Sequence, residues 1–187
     1  MSLSQLQLRT LRVEDEVSFR NAVAEFARDT PPWLFVFDFS ESTVFTEFLG
    51  HLERSSRGID VPAHFVPYTY LAGVVDGEVV GRLMLRHTLN ANLAKIGGHI
   101  GYGVIPSQRR RGYATAMLRQ ALPLCAARGI RRALITCDEH NTGSRKTIEA
   151  CGGIFEGFID DPESNNRKRR YWVETDANHV SPTKFYQ

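Results

Sequence analysis

The chain has 187 residues, 42% apolar and 24% charged. That balance belongs to an ordinary globular protein rather than a disordered or fibrous one, and the length fits one domain over residues 1–187 whose core needs no disulfide or structural metal. Lysines and arginines number 23 against 21 aspartates and glutamates, a formal charge of +2, so no global field singles out nucleic acid or a membrane, and any anion site has to be local.

At the amino terminus there is neither a basic start nor the apolar stretch of a signal peptide, and no run of about 18 apolar residues follows anywhere. Cys125, Cys137 and Cys151 are odd in number and lack C-x-x-C or histidine spacing, so neither a disulfide framework nor a zinc site is indicated. A cytoplasmic, reducing location is expected. Leu6, Leu8 and Leu11 alternate with polar residues as in a strand, and a helix is expected after Arg12 with Val17, Phe19, Val23, Phe26 and Ala27 inward. Thr30-Pro31-Pro32 ends it. An aromatic-rich connection, Trp33 to Phe39, leads to a second helix over residues 42–57, with Phe45, Phe48, Leu49 and Leu52 on one face.

Residues 68–75 and 78–85 flank Asp76-Gly77, which supplies the positive φ angles of a tight hairpin turn. The spacing predicts a third strand over residues 96–105, making an antiparallel meander. A helix is expected over 112–127, with Pro123 kinking it or ending its regular part. Next come a buried strand at 133–137, a helix over 141–151 stopped by Gly152-Gly153, and strands near 154–159 and 169–174. The whole reads as an α/β chain of the α+β kind, a mixed sheet with helices on its faces.

Where the third strand runs into a helix, Arg109, Arg110 and Arg111 precede Gly112. A helix amino terminus already carries about half a positive charge and unpaired N–H groups, so neighbouring cations are unfavourable unless an anion binds. Gly112 admits a close backbone approach, small Ala114 leaves room, and first-turn amides can donate to phosphate. A solvated loop is the competing explanation. The Walker pattern and the three-glycine dinucleotide fingerprint are both missing.

Val104, Pro106, Arg109, Gly112 and Ala114 match the signature Arg/Gln-x-x-Gly-x-Gly/Ala after Val-x-Pro. With His99-Ile-Gly-Tyr-Gly-Val104, Asn141-Thr-Gly-Ser144 and Gly152-Gly153 in the same order, the sequence resembles the GNAT superfamily of acetyl-coenzyme A-dependent N-acetyltransferases, most strongly over about residues 66–160. The resemblance implies a GNAT-like fold, mostly antiparallel and splayed at the cofactor strand, with acetyl-coenzyme A as cosubstrate. It implies that amides of Arg110, Arg111, Gly112, Tyr113, Ala114 and Thr115 hold the pyrophosphate, and that the strand end containing Tyr102, Val104 and Ile105 pairs with pantetheine. The thioester carbonyl would meet an N–H near Val104. Asn141 falls where relatives contact the cofactor arm, with Ser144 one turn on, although an N-cap alone also accounts for Asn141. Arg145 and Lys146 could face the adenosine phosphate or water.

An alkylamine is protonated at neutral pH, so a base or water chain has to free the nucleophile. His99, on the cofactor strand where relatives often carry a glutamate, is the first candidate, and His87 the second. Many relatives place a tyrosine acid four residues after the position of Ser144; here it is Ile148, which leaves the acid unassigned among Ser144, Tyr171 and water. Trp33, Phe35, Phe37 and Phe39 suggest an apolar acceptor wall, with Asp38 or Glu41 for an ammonium group. The acceptor is expected to be a primary amine, on a small molecule or a protein, and a homodimer is compatible. Two alternatives stand beside this reading: a family member that binds acyl-coenzyme A without catalysis, and a nucleic-acid-binding module using Arg109, Arg110 and Arg111 with the run from Arg167 to Arg170.

Overall fold

A computed structural model describes residues 6–29, 34–162 and 166–176. The expected stop at Thr30-Pro31-Pro32 and the side chain of Trp33 lie outside them.

Among the described residues, seven strands and four α-helices follow one another as β1 (Gln7–Arg9), α1 (Glu16–Ala27), α2 (Phe45–Ser56), β2 (Tyr68–Val75), β3 (Glu78–Arg86), β4 (Ile100–Val104), α3 (Tyr113–Ala126), β5 (Arg132–Asp138), α4 (Thr142–Glu149), β6 (Ile154–Asp161) and β7 (Asn166–Glu174). All pairing within sheets is antiparallel, in the orders β1-β2-β3-β4 and β5-β7-β6. The expected mixed, mostly antiparallel and splayed sheet takes the form of two antiparallel sheets that meet at a seam. An isolated bridge, Gly98 to Ile135, and the bond from the His99 N–H to the Leu134 carbonyl (2.7 Å) form that seam.

The β2–β3 hairpin turns on Asp76 at φ 50° and Gly77 at φ 84°, the left-handed pair that lets a two-residue loop follow the twist of its strands. The third strand is shorter than expected. Leu93–Gly97 coils into one π-helical turn, closed by the Gly98 N–H on the Leu93 carbonyl at 2.6 Å, and β4 begins only at Ile100. Ile96 is therefore part of a turn, although its apolar character reads as strand. Pro123 does not end α3, which continues to Ala126; a proline forfeits one hydrogen bond, and apolar packing of Leu118, Ala121 and Cys125 holds both sides of it.

Helix α3 covers one side of the larger sheet, and α4 packs beside it on β5 and β7, around a shared core of Leu83, Leu85, Ile100, Met117, Leu118 and Ile148. The other side carries α1 and α2, where Phe19 lies within 5.0–6.2 Å of the rings of Phe35, Phe39, Phe45, Phe48 and Tyr70. Asp15, buried before α1, accepts from Arg9 at 2.7 and 2.8 Å and from the Arg12 N–H at 2.7 Å. The Arg9 bond comes first among the causes that hold its carboxyl below the usual range, and it fixes α1 to the edge strand.

Candidate active site

The seam closes at Gly98 and His99, and beyond it, among the described residues, β4 has a hydrogen-bonded neighbouring strand only in β3. The side of β4 toward β5 is an open backbone edge running from Gly101 to Val104. An extended chain with amide groups can dock on such an edge as a strand would. After Val104 the chain makes a short turn at Pro106–Gln108 and enters α3.

The entrance to α3 is built for a guest anion. Gly112 stands at φ 79° as the residue before the helix, with no side-chain cap, and a Cβ there would meet nothing within 4 Å. Helix α4 is different: the Asn141 side chain accepts from the Ser144 N–H at 2.9 Å. The first intrahelical bond of α3 is Ala116 N–H to the Gly112 carbonyl, so the amides of Tyr113, Ala114 and Thr115 have no partner within the helix. Arg110, at φ 63°, and Arg111 are exposed and make no hydrogen bond or ion pair among the described residues. Unpaired N–H groups, a helix dipole and two free guanidinium groups favour an anion together.

Arg109 is used otherwise. Its Nε donates to the Val104 carbonyl (3.1 Å), its Nη1 to Asp29 (3.1 Å), and its Nη2 to the same carboxylate. Glu25, 82 residues earlier in the chain, accepts from the Ser107 N–H at 2.6 Å and hydroxyl at 3.0 Å. Glu25 and Asp29, four residues apart at the end of α1, thus clamp the loop that shapes the cradle. Sequence reading did not find this pair; neither residue belongs to a motif.

Tyr102 crosses from β4 to α4, its hydroxyl 2.8 Å from the Ser144 hydroxyl. Burial is the chief cause that raises its phenol far above the ordinary range, so it stays protonated as a donor. Ile148, at the family's tyrosine position, is fully buried in the core. Tyr171 is equally buried and donates to Glu149 at 3.2 Å, at the far end of α4 from Asn141.

The two histidines occupy different ends of the site. The His99 backbone N–H donates to the Leu134 carbonyl, and its ring accepts at Nδ1 from the Leu134 N–H (2.9 Å). That bond places the neutral ring's proton on Nε2 and leaves no lone pair for a substrate proton while the seam is intact. Burial, then the charge of Arg86, lowers its pKa. His87 contacts Thr69 (2.9 Å) and Arg128 (3.2 Å), just past the C-terminal end of α3. Fourteen residues of α3 at about 1.5 Å rise put roughly 20 Å between that end and the anion cradle.

On the acceptor side, Phe35 and Phe39 face the α1–α2 core while Phe37 is exposed and packs on Phe65 with ring centroids 5.6 Å apart. Asp38 and Glu41 are exposed. Arg145 and Lys146 lie in the middle of α4, without ion pairs among the described residues. A cavity of about 530 Å³ between α2 and β2, lined by Leu11, Leu49, Glu53 and Thr69 among others, lies at the opposite edge of the sheet.

The second basic run is neutralised internally. Arg167 pairs with Glu139 (2.6 Å), Lys168 with Asp138 (2.5 Å) and Asp161 (3.3 Å), Arg170 with Glu156 (2.6 Å), and Arg169 donates to the Glu139 carbonyl (3.1 Å). Such a surface offers little net charge to a phosphate backbone.

A split sheet leading into an uncapped helix entrance, with helices on both faces, defines an acyltransferase architecture, and the sequence agrees: the profile of the "Acetyltransferase (GNAT) family" matches residues 22–152. The chain belongs to this family. Among solved structures it is similar to RimJ of Mycobacterium smegmatis in complex with CoA-disulfide (TM-score 0.69, 20% identity, covering 94% of this chain and 83% of that one). It is also similar to the ribosomal-protein-S5-alanine acetyltransferase of Vibrio fischeri (TM-score 0.67, 15% identity, 95% and 97% covered). A third is yncA of Salmonella typhimurium with its cofactor acetyl-CoA (TM-score 0.60, 12% identity, 96% and 99% covered). These likenesses are of fold. No curated protein sequence matches the chain. Among the described residues no helix is long and apolar enough to cross a membrane.

Proposed function

We propose that this protein is an N-acetyltransferase that moves an acetyl group from acetyl-coenzyme A to a primary amine by direct attack on the thioester. The observation that carries it is the open edge of β4 ending at the uncapped, arginine-flanked entrance of α3. Relatives of the same fold are described in complex with coenzyme A or acetyl-coenzyme A, and the residues present fit such a group.

In this reading the amides from Arg110 to Thr115 take the pyrophosphate, and Arg110 and Arg111 supply charge. Arg109 contributes indirectly, since its guanidinium is engaged by Val104 and Asp29; it holds the strand end against α1. Acetyl-coenzyme A supplies the activated acyl group. Backbone N–H groups near Val104 stabilise the charge that develops on the carbonyl oxygen as the amine attacks. Tyr102, paired with Ser144, keeps its proton and donates a hydrogen bond to the departing thiolate, which takes its proton from water. Asn141 orders the first turn of α4 around that pair. His99 serves as a strut of the seam, and the amine proton leaves through water; His87 is engaged by Thr69 and Arg128.

Thermal shift with acetyl-coenzyme A, followed by thiol release with pooled amines, tests this. At about one hundred times Kd a ligand adds about 2.7 kcal/mol, and at about 2–4 °C per kcal/mol for this size class Tm rises by roughly 5–10 °C. No shift at saturation overturns the reading. A shift without thiol release across the amines supports the non-catalytic alternative, which the buried Ile148 favours.

A further inference from the structure

Two arginines on β3, Arg82 and Arg86, four residues apart and so on the same face, turn their guanidinium groups onto Gly101 of β4. A Cβ built at Gly101 would lie 3.6 Å from Arg82 Nη1 and 3.7 Å from both Nη1 and Nη2 of Arg86, with no nearer atom. This is the α1–α2 side of the sheet, beside the strand edge assigned to the donor. Arg82 is buried and donates to the Gly101 carbonyl (3.2 Å) and the Leu34 carbonyl (3.0 Å). Arg86 is partly buried, and its Nη1 donates to the carbonyls of Gly97 (3.3 Å) and Gly98 (3.0 Å).

Arg86 forms no ion pair, and its Nε and Nη2 find no partner among the described residues. Burial and the neighbouring charge of Arg82 push its pKa down to about 10. A partly buried guanidinium that faces a second cation and keeps two donors without a protein partner favours an incoming anion. No catalytic step uses it. Gly101, having no side chain, lets both guanidinium groups lie against β4.

We infer that Arg86, backed by Arg82, binds an anionic group on the acceptor, so that the preferred substrates are amines carrying a carboxylate or phosphate. The inference rests on the acetyltransfer reading above. Between Gly101 and the oxyanion contact near Val104, two to three strand residues at about 3.3 Å each separate the anion from the reacting nitrogen by roughly 7–10 Å. An ω-amino acid of about six carbons or an amino-terminal acidic peptide spans that distance.

The test compares 6-aminohexanoate with its carboxamide, and 6-aminohexyl phosphate with 6-aminohexanol, in the wild type, Arg86→Gln and Arg86→Lys. Thiol release gives kcat/KM, and thermal shift of the coenzyme A complex gives binding independently of turnover. In the wild type the anionic member of a pair is expected to be favoured at least tenfold, through KM, and to raise Tm more. Arg86→Gln should erase both differences and leave the shift by acetyl-coenzyme A unchanged, with Arg86→Lys retaining part of the preference. The pair that shows the larger ratio tells carboxylate from phosphate. Equal use of charged and neutral amines by the wild type, or equal Tm shifts where neither is turned over, overturns the inference. Loss of the acetyl-coenzyme A shift itself would instead overturn the reading beneath it.

Discussion

Replacing Gly112 by alanine separates folding from anion binding. At φ 79° and ψ 1° the residue is left-handed, which costs an L-residue about 1–2 kcal/mol. The new methyl meets nothing within 4 Å, so no steric term adds to this, and at about 2–4 °C per kcal/mol Tm should fall by roughly 2–8 °C. A phosphate oxygen has to come within about 2.9 Å of the first-turn amides, and a methyl at the helix entrance intrudes on that approach. Loss of one charge-assisted hydrogen bond, about 1.5–3 kcal/mol, weakens acetyl-coenzyme A binding about ten- to hundredfold. Gly129 is the control, because at φ 76° it is also left-handed with open space around it, beyond the other end of α3. Gly129→Ala should lose the same few degrees and bind normally in isothermal titration. Equal affinities for the two variants would refute the placement of the phosphate at Gly112.

Tyr102→Phe removes the hydroxyl bonded to Ser144; kcat should drop about ten- to hundredfold, in keeping with loss of one hydrogen bond of about 1.5–3 kcal/mol to a developing charge, while KM for acetyl-coenzyme A stays within about twofold, as steady-state kinetics would show. Restoring the family's tyrosine by Ile148→Tyr should fail, since that side chain is sealed in the core: overpacking costs about 1–3 kcal/mol, read as a lower denaturant midpoint without recovered activity. The pKa of His87 is lowered by burial and then by Arg128, and that of His99 by burial and then by Arg86. Both are therefore held neutral in the fold, so stability is complete above the ordinary value of 6.5 and is lost as pH falls through the lower folded values. Thermal melts between about pH 7.5 and 5.5 should show this loss, and a His87→Gln/His99→Gln variant should show less of it.

Much of the architecture could be read from local chemistry. Asp76-Gly77 marked the hairpin because few other pairs accept two left-handed residues, and the apolar spacing of α1, α2 and α3 located their buried faces. The start of β4 was misplaced, since Ile96 is apolar in either conformation and only the bond from Gly98 to Leu93 makes it a turn. At the site, Gly112 and the free Arg110 and Arg111 were visible as an electrostatic conflict. Arg109 belonged to the same run, yet its partner Asp29 lies 80 residues earlier, which no local pattern reveals. Arg82 and Arg86 went unnoticed for a related reason. On an alternating strand an arginine reads as solvent-facing, but both faces of β3 are covered, so the polar face became an interior one.

The seam between the two sheets has a mechanical side. His99, Gly98, Leu134 and Ile135 form a rivet at one end of a cut that otherwise leaves two slabs unlaced along β4. A donor lying in that cut takes the place of a missing stave, and its own amides complete hydrogen bonds that the polypeptide leaves open. Loading is then a late step of assembly as much as a binding event: amide exchange along β4 and β5 should slow together when the cut is filled, while exchange in the β2–β3 hairpin, already laced on both sides, should change little.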